Sequence, residues 1–324
     1  MSGDLDILNA ARGWLADGHR VVLVTVARTW GSSPRPVGSI MAIREDGVHA
    51  GSVSGGCVED ELLERVRNDQ VAGPTPTLIN YGINRMQAHR LGLPCGGRLE
   101  LVAEHLTDTE SIRSLCASLE RGACTARQVT LATGEVTLSE AGDTAEDLVY
   151  QDGMVRKVYG SASLLLIIGA GHLSRYVAQL GVMLDYRVVV CDPRPDYARG
   201  VNVHDVEMST LMPDDAVRAF CPSAHSAALV TLTHDPRLDD LALFEALQLE
   251  LHYVGALGSR RSQAGRRERL SALGLSEAQL ARLHAPVGLD IGGRTPAEIA
   301  VSIVAELTAT RRRARLSVDL AAAV

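Results

Sequence analysis

Residues 161–198 read SASLLLIIGAGHLSRYVAQLGVMLDYRVVVCDPRPDYA, and this stretch decides the fold. The apolar run Leu164–Ile168 predicts a buried strand that ends in Gly169-Ala170-Gly171. A helix follows over His172 to Leu184, and a second strand, Arg187 to Cys191, ends at Asp192. A strand, a glycine turn, a helix and an acid about 20 residues further on form the dinucleotide-binding βαβ pattern. The first glycine permits the tight turn, the second lets the backbone approach a diphosphate, and Asp192 is placed to accept from a ribose hydroxyl. Ser174 stands at the third fingerprint position, where Gly or Ala is usual, so the loop departs from the standard site. Arg194 puts a cation beside Asp192, suited either to an additional phosphate or to pairing with that acid. The C-terminal half is thus expected to be a Rossmann-like α/β domain with a mainly parallel sheet, its crevice holding a nucleotide-containing ligand or something else.

Downstream segments repeat the rhythm. A strand over Ala227 to Leu232 runs into Thr233-His234-Asp235-Pro236 before another helix. Ligands in such sheets lie beyond the carboxyl ends of strands, which is where His234 and Asp235 fall. There His234 could transfer a proton or be a polar loop residue, and Asp235 could contact a ligand or cap the helix. His172, directly after the glycines, also faces the crevice. HYVGALG is a further strand, and the helix after it opens with Arg260 and Arg261, which can hold phosphate or carboxylate. Thr295 to Glu298 is a capping box with Pro296 at the first position of a closing amphipathic helix.

The N-terminal half centres on GSVSGGCVED, residues 51–60. An opening helix (residues 5–17) precedes a strand from Val21 to Val26, expected to be buried on both faces. The proline-rich turn Trp30–Gly38 interrupts it, and Asp46-Gly47 reads as a hairpin turn. GSVSGGCVED is then a strand-to-helix junction. Gly55 and Gly56 let the backbone approach a ligand, and the N–H groups of a helix start favour an anion and lower the pKa of a thiol at Cys57. Glu59, Asp60 and Glu61 complement the dipole of the helix that follows and oppose that thiolate. Cys95, before Gly96-Gly97, is a second glycine-flanked cysteine at a strand end. The two cysteines either face one ligand or fill space as small buried residues.

Composition narrows the class. The chain has 324 residues, 46% hydrophobic content and 12 prolines, enough for two domains with real cores. A net charge of −7 gives no reason to expect nucleic-acid binding. The N-terminal stretch lacks a basic segment followed by an apolar one, and Leu164–Ile168 is too short to span a bilayer, so no membrane association and a cytoplasmic location are expected. Six cysteines without a CxxC pair suggest neither a disulfide framework nor a structural zinc site.

Taken together, GSSPRPVGS, GSVSGGCVED and LPCGGRLEL in the first half, with IIGAGHLSRYVA, CDPRPDYA, THDPRLDD, YVGALGSRR and HAPVGLDIGGRTPAEIAVSI in the second, resemble the XdhC/CoxI family. The resemblance spans residues 21 to 311. It implies an XdhC/CoxI-type N-terminal domain over residues 1–125, a short-stranded connecting segment over 126–160, a Rossmann-like domain over 161–315 and a frayed tail over 316–324. It also implies an accessory chaperone rather than an enzyme. Such proteins bind the molybdenum cofactor, a molybdopterin in mono- or dinucleotide form, while a cysteine desulfurase supplies a sulfido ligand. They then help insert it into an apo-molybdoenzyme of the xanthine dehydrogenase type. A homodimer is compatible with this role. The GGC and PCGG motifs put Cys57 and Cys95 at the molybdenum end, with Gly55, Gly56 and Gly96 beside them. The family's glycine run has Ser54 here. Gly169, Gly171, His172, Asp192, Arg194, His234, Asp235 and Arg260 would meet the phosphate or nucleotide. Two other readings stay open: an NAD(P)-dependent oxidoreductase using His234 or His172, and a sulfurtransferase carrying a Cys57 persulfide.

Overall fold

The computed structural model describes residues 3–31, 35–56, 58–71, 73–82, 98–141, 147–160, 163–198, 203–221 and 227–322, with side chains through 311. Cys57, Cys95 and Gly96 lie outside these residues. The chain divides into two compact units, Ser2–Gly160 and Ser161–Val324.

In the first unit, strands β1 (Val21–Trp30), β2 (Ile40–Arg44), β3 (His49–Gly51), β4 (Thr77–Tyr81) and β5 (Arg98–His105) form one sheet in the order β3-β2-β1-β5-β4. Its pairings are antiparallel. Side chains alternate across a strand, so β1 feeds two cores. Val22, Val24 and Val26 pack with Met41, Ile43 and the apolar stripe Leu62, Leu63 and Val66 of helix Glu59–Arg67. Val21 and Leu23 pack on the other face with Leu5 and Leu8 of helix Gly3–Ala16 and with Ile112 and Leu115 of helix Thr109–Glu120. Asp46-Gly47 makes the β2–β3 turn, with Gly47 at φ +90° and its N–H on the Arg44 carbonyl. Strands β6 (Thr125–Thr130), β7 (Val136–Glu140), β8 (Leu148–Gln151) and β9 (Met154–Tyr159) make a second antiparallel sheet in the order β7-β6-β9-β8, within the same unit.

The second unit is built on a six-stranded parallel sheet. It comprises β10 (Leu164–Ile168), β11 (Arg187–Cys191), β12 (Val206–Ser209), β13 (Ala227–Thr231), β14 (Tyr253–Ala256) and β15 (Leu283–His284), in the order β12-β11-β10-β13-β14-β15. Counted from β10 this is the doubly wound order, with its switch point between β10 and β13. The alternation of β10 sends Leu165 and Ile167 to one layer with Val177, Ala178, Ile303 and Leu307. Leu166 and Ile168 go to the other, with Val217, Ala242 and Leu243. The α/β architecture predicted from residues 161–198 is the architecture observed. The closing helix runs from Pro296 to Ala322. Among the described residues no helix is long and apolar enough to cross a membrane.

Candidate functional site

Glu59 organises the GSVSGG loop. Its carboxylate accepts the backbone N–H groups of Val53 (3.1 Å), Ser54 (2.8 Å), Gly55 (3.0 Å), Gly56 (2.9 Å) and Val58 (3.3 Å). The Ser52 hydroxyl donates to it at 2.7 Å, and the Ser54 hydroxyl does so as well. Gly55 and Gly56 sit at φ +78° and +115°, values open to glycine, and these turns aim successive N–H groups at one point. Burial alone would raise the Glu59 pKa, but the hydroxyls of Ser54 and Ser52 and the backbone donors reverse this and bring it down to about 2. The loop N–H groups thus converge on an anion, and that anion belongs to the chain. Gly55 and Gly56 remain on the surface.

A second internal anion stands at the Rossmann loop. Asp192 is fully buried at the end of β11. One oxygen accepts the Ala170 N–H at 2.9 Å, and both receive the Arg194 guanidinium, at 2.9 and 2.8 Å. Burial opposes its ionisation, yet Arg194 and the Ala170 N–H hold the carboxyl below its ordinary range. Of the two roles open to Arg194, the structure shows pairing with Asp192, and its guanidinium also lies over the Tyr197 ring at 3.9 Å. The Gly169 N–H bonds the Cys191 carbonyl and the Gly171 N–H bonds the Ser174 hydroxyl. Ser174, fully buried, thus closes the loop on itself where a smaller residue is usual. Gly169, at φ +100°, is forced by space as well: a Cβ there would stand 2.7 Å from the Thr233 methyl.

Of the two roles open to Asp235, the structure shows helix capping. Asp235 is the N-cap of helix Pro236–Ala246, accepting the Arg237 N–H at 3.0 Å and pairing with the Arg237 side chain. His234 is exposed beside it, and His172 is exposed with its ring edge-on to Tyr176. Below them Thr233 donates to Asp239 at 2.7 Å, and Asp239 pairs with Arg266 at 2.9 Å. Both members of this pair are nearly inaccessible, and burial pushes Asp239 up to about 6 in spite of Thr233 and Arg266. The network joins the β13 loop to helix Arg260–Ala272.

Models built for two families of domain match the chain: the XdhC and CoxI family over residues 14–82, and the XdhC Rossmann domain over residues 165–307. The chain belongs to the XdhC and CoxI family. A Bacillus subtilis (strain 168) protein, named as a probable subunit of xanthine dehydrogenase, is 28% identical, covering 92% of this chain and 96% of the relative. The molybdenum cofactor insertion chaperone PaoD of Escherichia coli (strain K12) is also 28% identical, over 94% of this chain and 88% of its own. The crystal structure of a xanthine dehydrogenase from Bacillus halodurans has the same fold, with a TM-score of 0.73 at 24% identity, covering 97% of this chain and 96% of that one.

In this XdhC/CoxI-family chain, Gly169, Gly171, His172, Asp192, Arg194, His234 and Asp235 gather at the carboxyl ends of β10, β11 and β13, with Arg260 beyond β14. The sequence reading missed other residues. Glu59 reads from the sequence as an acid that suits the helix dipole and opposes a Cys57 thiolate, although a carboxylate just after a serine- and glycine-rich turn is what a ring of N–H donors requires. Ser52 and Ser54 complete that ring. Glu306 is another internal anion, accepting from Tyr253 (2.6 Å), from the Gly288 N–H (2.7 Å) and at His284 Nδ1 (2.9 Å). Its partners are scattered over 53 positions, so no local pattern exposes it.

Proposed function

We propose that this protein acts in molybdoenzyme maturation, as a chaperone that binds the molybdenum cofactor, holds it for sulfuration and delivers it to an apo-enzyme of the xanthine dehydrogenase type. The observation that carries this reading is the near full-length similarity to an insertion chaperone within the XdhC and CoxI family. A cysteine desulfurase is the partner that sulfuration requires, and the cofactor is cargo rather than a resident group.

The residues suit such cargo in two ways. Molybdopterin carries a dithiolene and a phosphate, so soft thiolates and phosphate-accepting donors are the chemistry required. In this reading Cys57 and Cys95 hold the molybdenum end, with Gly55, Gly56 and Gly96 letting it approach the backbone. Gly169, Gly171, His172, His234, Asp235 and Arg260 contact the phosphate or nucleotide end. Asp192 acts through Ala170 and Arg194, since its buried oxygens already receive both. That engagement also weighs against a site built around an unphosphorylated ribose, and so against an NAD-dependent oxidoreductase.

The test is pterin and molybdenum analysis of protein purified from cells that make the cofactor. Fluorescent oxidised pterin in stoichiometric amount is expected from wild type, and a marked loss from the Cys57→Ser, Cys95→Ser double variant. Equal retention by both would remove the cysteines from the proposal. Absence of pterin together with tight NADH or NADPH binding and turnover of a carbonyl substrate would replace it with the oxidoreductase.

A further inference from the structure

Helix Arg260–Ala272 begins just past the carboxyl end of β14. Its first turn carries Arg260 and Arg261 and no acid. Both arginines are exposed, and neither has a hydrogen-bond or ion-pair partner among the described residues. Two cations at the positive end of a helix dipole are unfavourably placed unless an anion joins them. Charge at a helix start does not make a site by itself. The residue beneath supplies a separate reason.

Gln263 is 6% exposed. Its Oε1 accepts from Arg266 Nη1 at 2.8 Å, and because a guanidinium only donates, this bond fixes which end of the amide is which. The Nε2 group is thereby turned away from Arg266, buried, and without an acceptor. It faces Gly258: a Cβ on that residue would stand 2.8 Å from Nε2 and 2.6 Å from the Ser262 hydroxyl. Gly258, at φ +146°, is therefore held to glycine both by its backbone shape and by the close approach of these two side chains. A buried amide donor with nothing to donate to is an uncommon feature of a folded protein and is satisfied when a ligand brings the acceptor.

We propose that Gly258–Gln263 is an oxyanion subsite that takes a phosphoryl group. Arg260 and Arg261 supply the counter-charge and their own backbone N–H groups, the Ser262 N–H being taken by the Ser259 hydroxyl, and Gln263 Nε2 closes on the anion from below. The charged groups that meet there are cationic. Asp239 and Asp240 lie nearby, but they are already paired with Arg266 and Arg269. The subsite stands whether the phosphoryl group comes from a pterin, a nucleotide or another small molecule, so it does not depend on the cofactor reading above.

The test titrates the full chain with inorganic phosphate, pyrophosphate and malonate by calorimetry and by amide chemical shifts. Pyrophosphate is expected to bind more tightly than malonate and to shift the amides of Gly258 to Gln263. Gln263→Glu keeps the acceptor that Arg266 uses but replaces the donor with a carboxylate oxygen. It should weaken pyrophosphate binding about tenfold or more, as should the Arg260→Ala, Arg261→Ala double variant, with thermal unfolding unchanged. If Gln263→Glu lowers the melting temperature, the double variant of the two exposed arginines decides alone. Unaltered affinity in the variants, shifts confined to Gly169–His172, malonate binding as tight as pyrophosphate, or no binding up to about 10 mM would each overturn the proposal.

Discussion

Glu59 Oε2 accepts the backbone N–H of Gly56 at 2.9 Å, and the same carboxylate gathers the N–H groups of Val53, Ser54, Gly55 and Val58. Converging N–H groups make an anion site, and here the occupant is the first residue of the helix that the loop introduces. The loop is held in shape by a side chain of its own. Its inward N–H groups are taken, so what Gly55 and Gly56 offer to a visitor is a surface without side chains.

Removing the carboxylate should therefore loosen the loop and destabilise the N-terminal unit. Glu59→Ala leaves several buried donors without an acceptor and is expected to cost about 2–4 kcal/mol. Glu59→Gln, which keeps one acceptor oxygen, should cost less. Trp14 and Trp30 both lie in this unit, so denaturation followed by tryptophan fluorescence reads it directly. The sign of the pH dependence follows from a folded pKa of about 2 against an ordinary value of 4.5. The stabilisation is complete above about pH 4.5 and is lost as pH falls towards 2. In Glu59→Gln that acid-side slope should shrink.

Asp192 and Arg194 form a pair of unequal members. The acid is fully buried, whereas the arginine side chain is 40% exposed. Asp192→Ala strands the Ala170 N–H and releases the loop, with an expected cost of about 3 kcal/mol. Arg194→Ala should cost less, about 1–2 kcal/mol, because the backbone N–H groups of Ala170 and of residue 194 still donate to the acid. Calorimetric unfolding of the two variants checks the ranking. Similar costs for both would mean that Asp192 does not hold the glycine loop.

Fold class was legible at residues 161–198 because a parallel strand buried on both faces must be apolar throughout and a glycine turn must follow it. The strand Val21–Val26 was legible for the same reason, although the sheet around it is antiparallel. The roles of the site residues were harder to read. The acid at Asp192 was found by its spacing, but whether it reaches outward to a ribose or inward to Ala170 depends on Arg194 and on Ser174, and spacing is silent on direction. Glu59 was visible as a first-turn acid, and only the positive φ angles of Gly55 and Gly56 turn it into the centre of a ring of donors. Asp239 and Arg266 are 27 residues apart on different helices, and only the folded sheet brings them together.

The Asp239–Arg266 pair tests how burial weighs against attraction. Both side chains are nearly inaccessible, at 2% and 6%, and desolvation holds Asp239 near 6 even beside a cation. Arg266→Met alone would leave a buried carboxylate without its cation, at about 3–5 kcal/mol. The double variant Asp239→Leu, Arg266→Met should recover most of that loss, because two apolar side chains avoid the cost of burying charge. The raised pKa adds a pH signature of opposite sign to that of Glu59. Its contribution is present below the ordinary value of 3.8 and is lost as pH rises through about 6. A double variant no more stable than Arg266→Met would show that the ion pair, and not its packing, holds the two helices together.

Glu306 ties the closing helix to two segments distant in sequence, through Tyr253 and through His284 and the Gly288 N–H. The Tyr253 and His284 rings also stack, with centroids 4.5 Å apart, so the carboxylate is gripped on both oxygens by groups that hold each other. Burial would raise its pKa, but Tyr253, His284 and the Gly288 N–H bring it below the ordinary value. Glu306→Ala leaves three partners unsatisfied and is expected to cost about 3 kcal/mol, whereas Tyr253→Phe removes one donor from an acid that keeps two others and should cost about 1 kcal/mol. Because the folded pKa is depressed, the Glu306 contribution is present above about 4.5 and declines on acidification below it. Thermal unfolding of wild type and Glu306→Gln from about pH 4 to about pH 8 checks this. Glu306→Gln should be less sensitive to acid than wild type, and an unchanged profile would place the acid sensitivity elsewhere.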